Sequence, residues 1–564
     1  MRFICSCVTL FCLSNFIASC SNQVENPIVS EGDTKIQINV SGIDDEGVFE
    51  LEESEVENKI AKFAKASLTA KNRSEDIAAE YNITSLAEFD VLSDLQAPRS
   101  VSRTEGLLDI STEAETSKKA SIKHEKKLAR MTDGIQYRIL MYPEGTTQNA
   151  VNQVGTAGIA TSFQVNLGQT YDWYAVSINT TNVPNIDASG IISSAVLSNQ
   201  DVLYAAGKFT PAVGQNTLNI TFRRMTARIE VDVNVRGIFG RIENNTSLTV
   251  GSLEGGTFVN AIQTGDFNVR TGGFNNLVDA TPVTGQQMTV SNVQTGDAVK
   301  KAIFYTVRNN SIATGNIRVR LNQLNIFLDD NTIRRFSPNS LVPISGAMTP
   351  TRGFRYLLTA RLIEQPVIVG GVRWARTNLI YDYSTAQIDR YRFRPNNNYA
   401  IASLDSEYWV KGAPTPGGSS NGSSPCRQVY PEELWITPSK SQRSNLGSPA
   451  LQAVVSAPDG IKPYSQWNQD SGTQPNPAYP DNVLILNYLG IYSGGSFNHQ
   501  GHLLASQGSA QSTFWTVENT SGTTGSIFRS TVTYSSSGQL NFGSYSNVDN
   551  IARTSRRAYR CVRS

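Results

Sequence analysis

The sequence predicts an all-β protein: two sandwiches in succession, then a loop-rich C-terminal domain, with a short helical insertion near the N-terminus. Two patterns lead to this. Apolar and polar residues alternate with a period of two in short runs from residue 34 onward, which is the signature of a half-buried strand. Gly, Asn, Thr and Pro separate the runs beyond Arg130 at the spacing of strands and turns. A third observation sets the scale: 564 residues correspond to about three to four domains of ordinary size.

The chain opens on Met1-Arg2-Phe3 and continues as an apolar run to Ile17 that contains Leu10, Phe11, Leu13 and Phe16. A membrane-spanning helix needs about 20 apolar residues, and this run is shorter and meets polar Ser21-Asn22-Gln23 at once. Residues 1–19 therefore read as a secretory signal peptide. Ile17-Ala18-Ser19-Cys20 resembles the lipobox at which bacterial lipoprotein precursors are cut and acylated, so Cys20 is the lipidation candidate at the head of a linker over 20–33. The alternative is an ordinary signal peptide that ends on a chance cysteine. Cys5, Cys7 and Cys12 leave with the peptide, and Cys426 and Cys561 remain as an even pair in an oxidising compartment. They form either a disulfide that restrains the unfolded chain by about 4–5 kcal/mol or two isolated buried thiols.

The first strand lies over 35–40, where Ile36, Ile38 and Val40 alternate with Lys35, Gln37 and Asn39. From 44 to 130 the chain turns to Glu, Lys, Ala and Ser and reads as a charged linker. Val56, Ile60, Phe63 and Ala64 fall at helical spacing within it and predict a solvated amphipathic helix over 53–68. Gln96-Ala97-Pro98-Arg99-Ser100-Val101-Ser102-Arg103 reads as an exposed loop open to proteases.

Beyond Arg130 the strands are expected at 136–142, 162–167, 171–179, 217–222 and 227–235, and again at 301–308, 316–327 and 354–362. With a joint near Arg223-Arg224-Met225, this gives a first sandwich over 34–224, including the linker 44–130, and a second over 225–366. From 367 to 564 the texture shifts towards aromatics, Ser, Gly and Asn, with five of the six tryptophans at 374, 409, 435, 467 and 515. Residues 414–422 form a low-complexity loop within this third region.

Few residues point to chemistry. The formal charge is +1 and no long basic run follows the signal, so no nucleic-acid partner is expected, and a membrane is met only through the N-terminal lipid of the precursor. His499-x-x-His502 offers two metal ligands where a site needs three or four, and reads as two loop histidines. Gly418-Ser419-Ser420-Asn421-Gly422 fits the nucleophile-elbow expression but not its strand-to-helix context. Trp467-Asn468-Gln469-Asp470 and Gln474-Pro475-Asn476 faintly echo calcium-lectin motifs in the opposite order. The tryptophans are candidates for stacking on sugar or peptide, with burial in a core as the commoner fate. No cofactor, metal or catalytic residue is assigned, and an enzyme is not expected.

Several segments resemble the fimbrillin superfamily of cell-surface pilins, the subunits of type V pili. These are Gly134-Ile135-Gln136-Tyr137-Arg138-Ile139-Leu140-Met141-Tyr142, Tyr171-Asp172-Trp173-Tyr174-Ala175-Val176-Ser177 and Arg224-Met225-Thr226-Ala227-Arg228-Ile229-Glu230-Val231. The C-terminal region resembles the lectin-like module of accessory tip subunits, through Val372-Arg373-Trp374-Ala375-Arg376-Thr377-Asn378-Leu379, Pro425-Cys426-Arg427-Gln428-Val429-Tyr430-Pro431-Glu432 and Tyr559-Arg560-Cys561-Val562-Arg563. The resemblance implies two transthyretin-like sandwiches, an outer-membrane and fimbrial location, and assembly by strand exchange. In the assembly the resemblance implies, an arginine-specific protease would cut after the first strand and a neighbouring subunit's strand would fill the groove. Carried onto this sequence, the removable strand is Lys35, Ile36, Gln37, Ile38, Asn39 and Val40. The cut falls after Arg73, Arg99, Arg103 or Arg130, with Arg99 and Arg103 favoured for their loop context. The partners would be other fimbrial subunits, stalk and accessory, together with a host or bacterial surface ligand. A chain tied down near its end by Cys561 can accept a strand but has little to donate, which places it at a filament tip. The alternative is a monomeric surface lipoprotein that captures glycan or peptide.

Overall fold

The computed structural model describes residues 33–44, 83–96, 128–397, 404–457, 460–471, 482–498, 508–535, 537 and 539–563. Over these residues the protein is all-β, with helices of five residues or fewer. The helix expected over 53–68 lies outside the described residues.

Strand β1 (Asp33–Asp44) is followed by β2 (Ile83–Ser85), β3 (Asp90–Gln96), β4 (Leu128–Ala129), β5 (Gln136–Pro143), β6 (Val151–Thr156), β7 (Thr161–Asn166) and β8 (Tyr171–Ser177). Then come β9 (Ile191–Ile192), β10 (Leu203–Phe209), β11 (Asn216–Arg224) and β12 (Ala227–Gly237). The first sheet runs β4-β1-β11-β10-β8-β5-β6, and β7 also pairs with β1. Period-two alternation sets its inner face: Leu218, Ile220 and Phe222 of β11 and Tyr171, Trp173 and Ala175 of β8 are buried together with Tyr137 and Ile139.

β12 opens the next sheet. It pairs antiparallel with the strand Val299–Thr306 and parallel with Arg355–Ile363. A second layer, built on Ser247–Glu254, Ile317–Gln323 and Ser340–Pro343, covers it. Ile229, Val231 and Val233 meet Val250, Val319, Leu321 and Leu358 in the core between them. The segment expected at 316–327 is two strands, Ile317–Gln323 and Asn325–Leu328, which belong to different sheets.

The structure departs from the sequence reading at the charged segment 44–130. Rather than a linker of the first sandwich, it supplies β2 and β3 to the second. β3 pairs antiparallel with Arg355–Ile363 from Leu357↔Gln96 to Ile363↔Asp90, and β2 pairs with β3. Phe89, Val91 and Leu92 are each 1% exposed, a burial that local composition, dominated by the surrounding charges, does not signal.

The two sandwiches share an apolar seam. β9 pairs with the strand Gln263–Asn268 at Phe267↔Ile192, and Leu140, Tyr142, Val176, Phe267 and Val269 are buried together there. The Tyr204 hydroxyl donates to the Val269 carbonyl at 2.7 Å, and burial raises its pKa.

The C-terminal region consists of small sheets and short helices. In one sheet the order is Val367–Val369, Val372–Trp374, Val562–Arg563, Trp435–Ile436, which makes Val562–Arg563 an internal strand. Cys426 and Cys561 are joined as a disulfide with their Cα atoms 5.7 Å apart. Trp374, Trp409, Trp435, Trp467 and Trp515 are all 2% exposed or less, so they form core rather than a stacking platform. Arg443, on the short helix Lys440–Ser444, is itself buried and lies over Trp374 at 4.8 Å, Phe514 at 5.4 Å and Phe528 at 5.5 Å.

Candidate functional site

The site most distinct from ordinary packing is the seat of β1. This strand pairs parallel with β11, from Ile36↔Asn216 to Asp44↔Arg223, and antiparallel with β7, from Asp33↔Asn166 to Ile38↔Thr161. Past residue 42 its second edge passes to β4, with Ile43 opposite Ala129. Gly42 makes this change of partner possible. Its φ is +141° and a Cβ there would lie 2.7 Å from the Ala129 carbonyl oxygen, closer than side chains tolerate.

The alternation expected over 35–40 is present. Ile36, Ile38 and Ile43 are buried and Val40 is partly buried against the same core, whereas Lys35, Gln37 and Asn39 face solvent. Burying three isoleucines contributes about 5–9 kcal/mol, and the backbone ladders on both edges add to this. Side-chain hydrogen bonds among the described residues add to these. The Asn39 amide donates to the Asn219 side chain at 2.6 Å, Asn216 donates to the Thr34 hydroxyl at 3.0 Å, and Gln215 donates to Gln37 at 3.2 Å. The exposed Arg223 lies 3.9 Å from the buried Asp44 carboxylate. Apolar side chains and backbone run the length of β1, and both can be supplied by another strand of similar pattern.

Of the sequence-predicted positions, Cys20, Arg73, Arg99 and Arg103 lie outside the described residues. Arg130 follows β4 directly, has a side chain 80% exposed and pairs with Asp133 at 2.9 Å. His499, His502 and Gln474-Pro475-Asn476 also lie outside. Asp470 of the other lectin-like segment accepts from the Gly370 and Gly371 backbone at 3.0 and 2.8 Å, closing a turn. Among the described residues no three metal-ligating side chains of the His, Cys, Asp and Glu kinds converge.

A second feature, which no motif announced, is a cavity of about 520 Å³ between the second sandwich and the C-terminal region. Three arginines, Arg236, Arg241 and Arg392, and four aspartates, Asp297, Asp329, Asp382 and Asp389, bring charge to its lining. Arg236 pairs with Asp389 at 2.6 Å and Arg392 with Asp329 at 2.7 Å. Asp382 accepts from the Ser384 backbone and hydroxyl at 2.8 and 2.6 Å. Burial pushes the Asp329 carboxyl up against the opposing pull of Arg392. The result is a polar cleft whose charges largely cancel.

No family model matches the chain, and no curated protein does. Solved structures with partial similarity include a presumed cell adhesion protein from Bacteroides fragilis, at 15% identity, covering 45% of this chain and 92% of that one, with a TM-score of 0.29. Another from Bacteroides thetaiotaomicron is 14% identical and covers 41% and 79% of the two chains, with a TM-score of 0.21. A fimbrial assembly protein from Parabacteroides distasonis is 10% identical, covers 41% and 85%, and has a TM-score of 0.20.

Proposed function

We propose that this chain is an accessory or tip subunit of a surface filament, exported as a Cys20-lipidated precursor, and that it accepts a neighbour's strand in the groove now filled by β1. The reading assigns it an adhesive and structural role and no catalysis. The seat of β1 is the observation that carries it: an internal strand, paired on both edges, whose nearest described neighbours in sequence, β2 and β3, belong to a different sheet. Removing it exposes unpaired backbone groups along β11 and β7 and an apolar trench, which is the template that strand addition requires.

The test is N-terminal sequencing of the protein from sheared surface filaments, with and without inhibition of arginine-specific proteolysis. A new terminus beyond β1, lost on inhibition, is the expected result. An intact acyl-Cys20 form absent from filaments would instead establish a monomeric surface lipoprotein.

The interdomain cavity favours a second reading, capture of an uncharged polar ligand such as a glycan, since four carboxylates set against three guanidiniums leave little net charge and many groups that suit hydroxyls. Glycan-array binding by the full mature chain that is lost in Asp382→Ala would support it; binding unaffected by that change would remove the cavity from consideration.

A further inference from the structure

We infer that residues 83–96 are a permanent bolt between the second sandwich and the C-terminal region, and that processing which frees β1 leaves this bolt in place. The inference rests on the strand-exchange reading and adds where maturation must stop. Two strands reach the sandwiches from the N-terminal part of the chain, β1 into the first sheet and β3 into the second, and they are fastened by different chemistry.

β1 is held by isoleucines, backbone and side-chain amides, with one buried polar contact of its own, from Asn216 to the Thr34 hydroxyl, and none of its contacts described above is an ion pair to the C-terminal region. β3 is held by the same kinds of contact and by a buried polar lock that extends into a third part of the fold. Asp90 accepts from Arg563, and both side chains are 4% exposed. The Gln365 side chain donates to Asp90 at 3.1 Å and to the Leu86 carbonyl at 2.7 Å. Outside this buried pair, Arg334 donates to the half-buried Glu88 carbonyl at 3.2 Å, and at the surface the Ser337 backbone donates to the Glu88 carboxylate at 2.5 Å. Phe89 and Val91 enter the second sandwich's core, while Leu92 packs into the cluster that contains Trp435 and Cys561. Arg563 in turn donates to the Glu364 carbonyl at 2.5 Å and lies over the Trp435 ring at 4.9 Å. An incoming strand can reproduce a ladder and a row of apolar side chains, but replacing β3 requires opening a buried ion pair whose other member sits on an internal strand.

This difference constrains processing. A cut between β3 and β4 leaves β1 covalently joined to a hairpin that does not leave. Rebinding of β1 is then intramolecular, at an effective concentration on the order of millimolar, and an incoming strand competes poorly. A cut between β1 and β2 removes that tether. Between residues 44 and 83 the sequence contains one arginine, Arg73, so the position that frees β1 differs from the Arg99 and Arg103 loop favoured by sequence.

Two labelled peptides, residues 33–44 and residues 83–96, test this on the full-length protein nicked by an arginine-specific protease. Native gel filtration followed by mass spectrometry in denaturant reads both the nick positions and which peptide has entered. The expected result is uptake of 33–44 at least about tenfold faster than 83–96, with endogenous 83–96 still present even in molecules nicked after Arg99 or Arg103. Equal uptake of both peptides, or folded protein that has lost 83–96 in native buffer, would overturn the bolt. Exclusion of both would leave the bolt standing and sink strand exchange at β1 instead. Asp90→Asn serves as a second variant, expected to raise 83–96 uptake without changing that of 33–44.

Discussion

Asp90 and Arg563, 473 positions apart in the chain, form an ion pair buried on both sides. Desolvation lowers the pKa of the Arg563 guanidinium, and Asp90 opposes that shift. Removing only one partner leaves a buried charge without compensation. Asp90→Ala is expected to cost about 3–5 kcal/mol, read as a lowered midpoint in urea unfolding. The double change Asp90→Leu with Arg563→Met is expected to recover most of the loss, because a buried pair replaced by apolar groups is often neutral. A double variant as unstable as the single one would show that Arg563's contacts to Glu364 and Trp435, and not the pair, dominate.

In β1 the inward and outward positions should separate cleanly. Ile36→Ala or Ile38→Ala removes buried methyl groups and is expected to weaken seating of a 33–44 peptide by about 2–5 kcal/mol, whereas Gln37→Lys, on the exposed face, should leave affinity within about 0.5 kcal/mol. Competition binding to nicked protein measures both. Similar losses from the two classes of change would mean that the strand is recognised by its backbone alone.

The fate of these two strands also shows what could be read from sequence. β1 was legible because one face is core and the other water, so Ile36, Ile38 and Val40 alternate with Lys35, Gln37 and Asn39. β3 was not, since Val91 and Leu92 are both buried, one towards the second sandwich and the other towards the C-terminal cluster, which erases the period of two. Asp90 looks like one more charge in an acidic segment, and its partner is distant in sequence. The strands expected at 136–142, 162–167, 217–222 and 227–235 lie within two residues of β5, β7, β11 and β12 at each end. Contacts between domains left no local trace: nothing near Ile192 or Phe267 marks them as the pair that joins two sandwiches, nor Arg236 and Asp389 as the wall of a cavity.

The Cys426–Cys561 bond spans a sequence separation of 135 and ties the 3-10 turn Pro425–Gln428 to the residue before Val562–Arg563. Losing it through paired Cys→Ala changes is expected to lower stability by about 4–5 kcal/mol on the chain-entropy estimate. Because Arg563 follows the bridge by two residues, the same variant should also increase hydrogen exchange at β3. Loss of stability with β3 still fully protected would uncouple the bridge from the bolt.

Lys411 gives the C-terminal region a distinctive pH response. Its ammonium is buried, donates to the Thr516 carbonyl at 2.6 Å and to the Glu518 carbonyl, and burial brings its pKa down to about 8. In the unfolded chain the group titrates near about 10.4. Between these values the folded state has shed a proton that the unfolded state keeps, so stability rises with pH across roughly pH 8–10. Below that window both states are protonated, and the cost of burying the charge is borne in full. Tyrosines oppose the trend above about pH 10, since burial pushes Tyr391 up to about 12 and the unfolded state then gives up its proton first. Urea unfolding at half-unit steps from pH 7 to 10 should therefore show a rise in wild type that Lys411→Met removes. A slope unchanged by that substitution would assign the rise to another group.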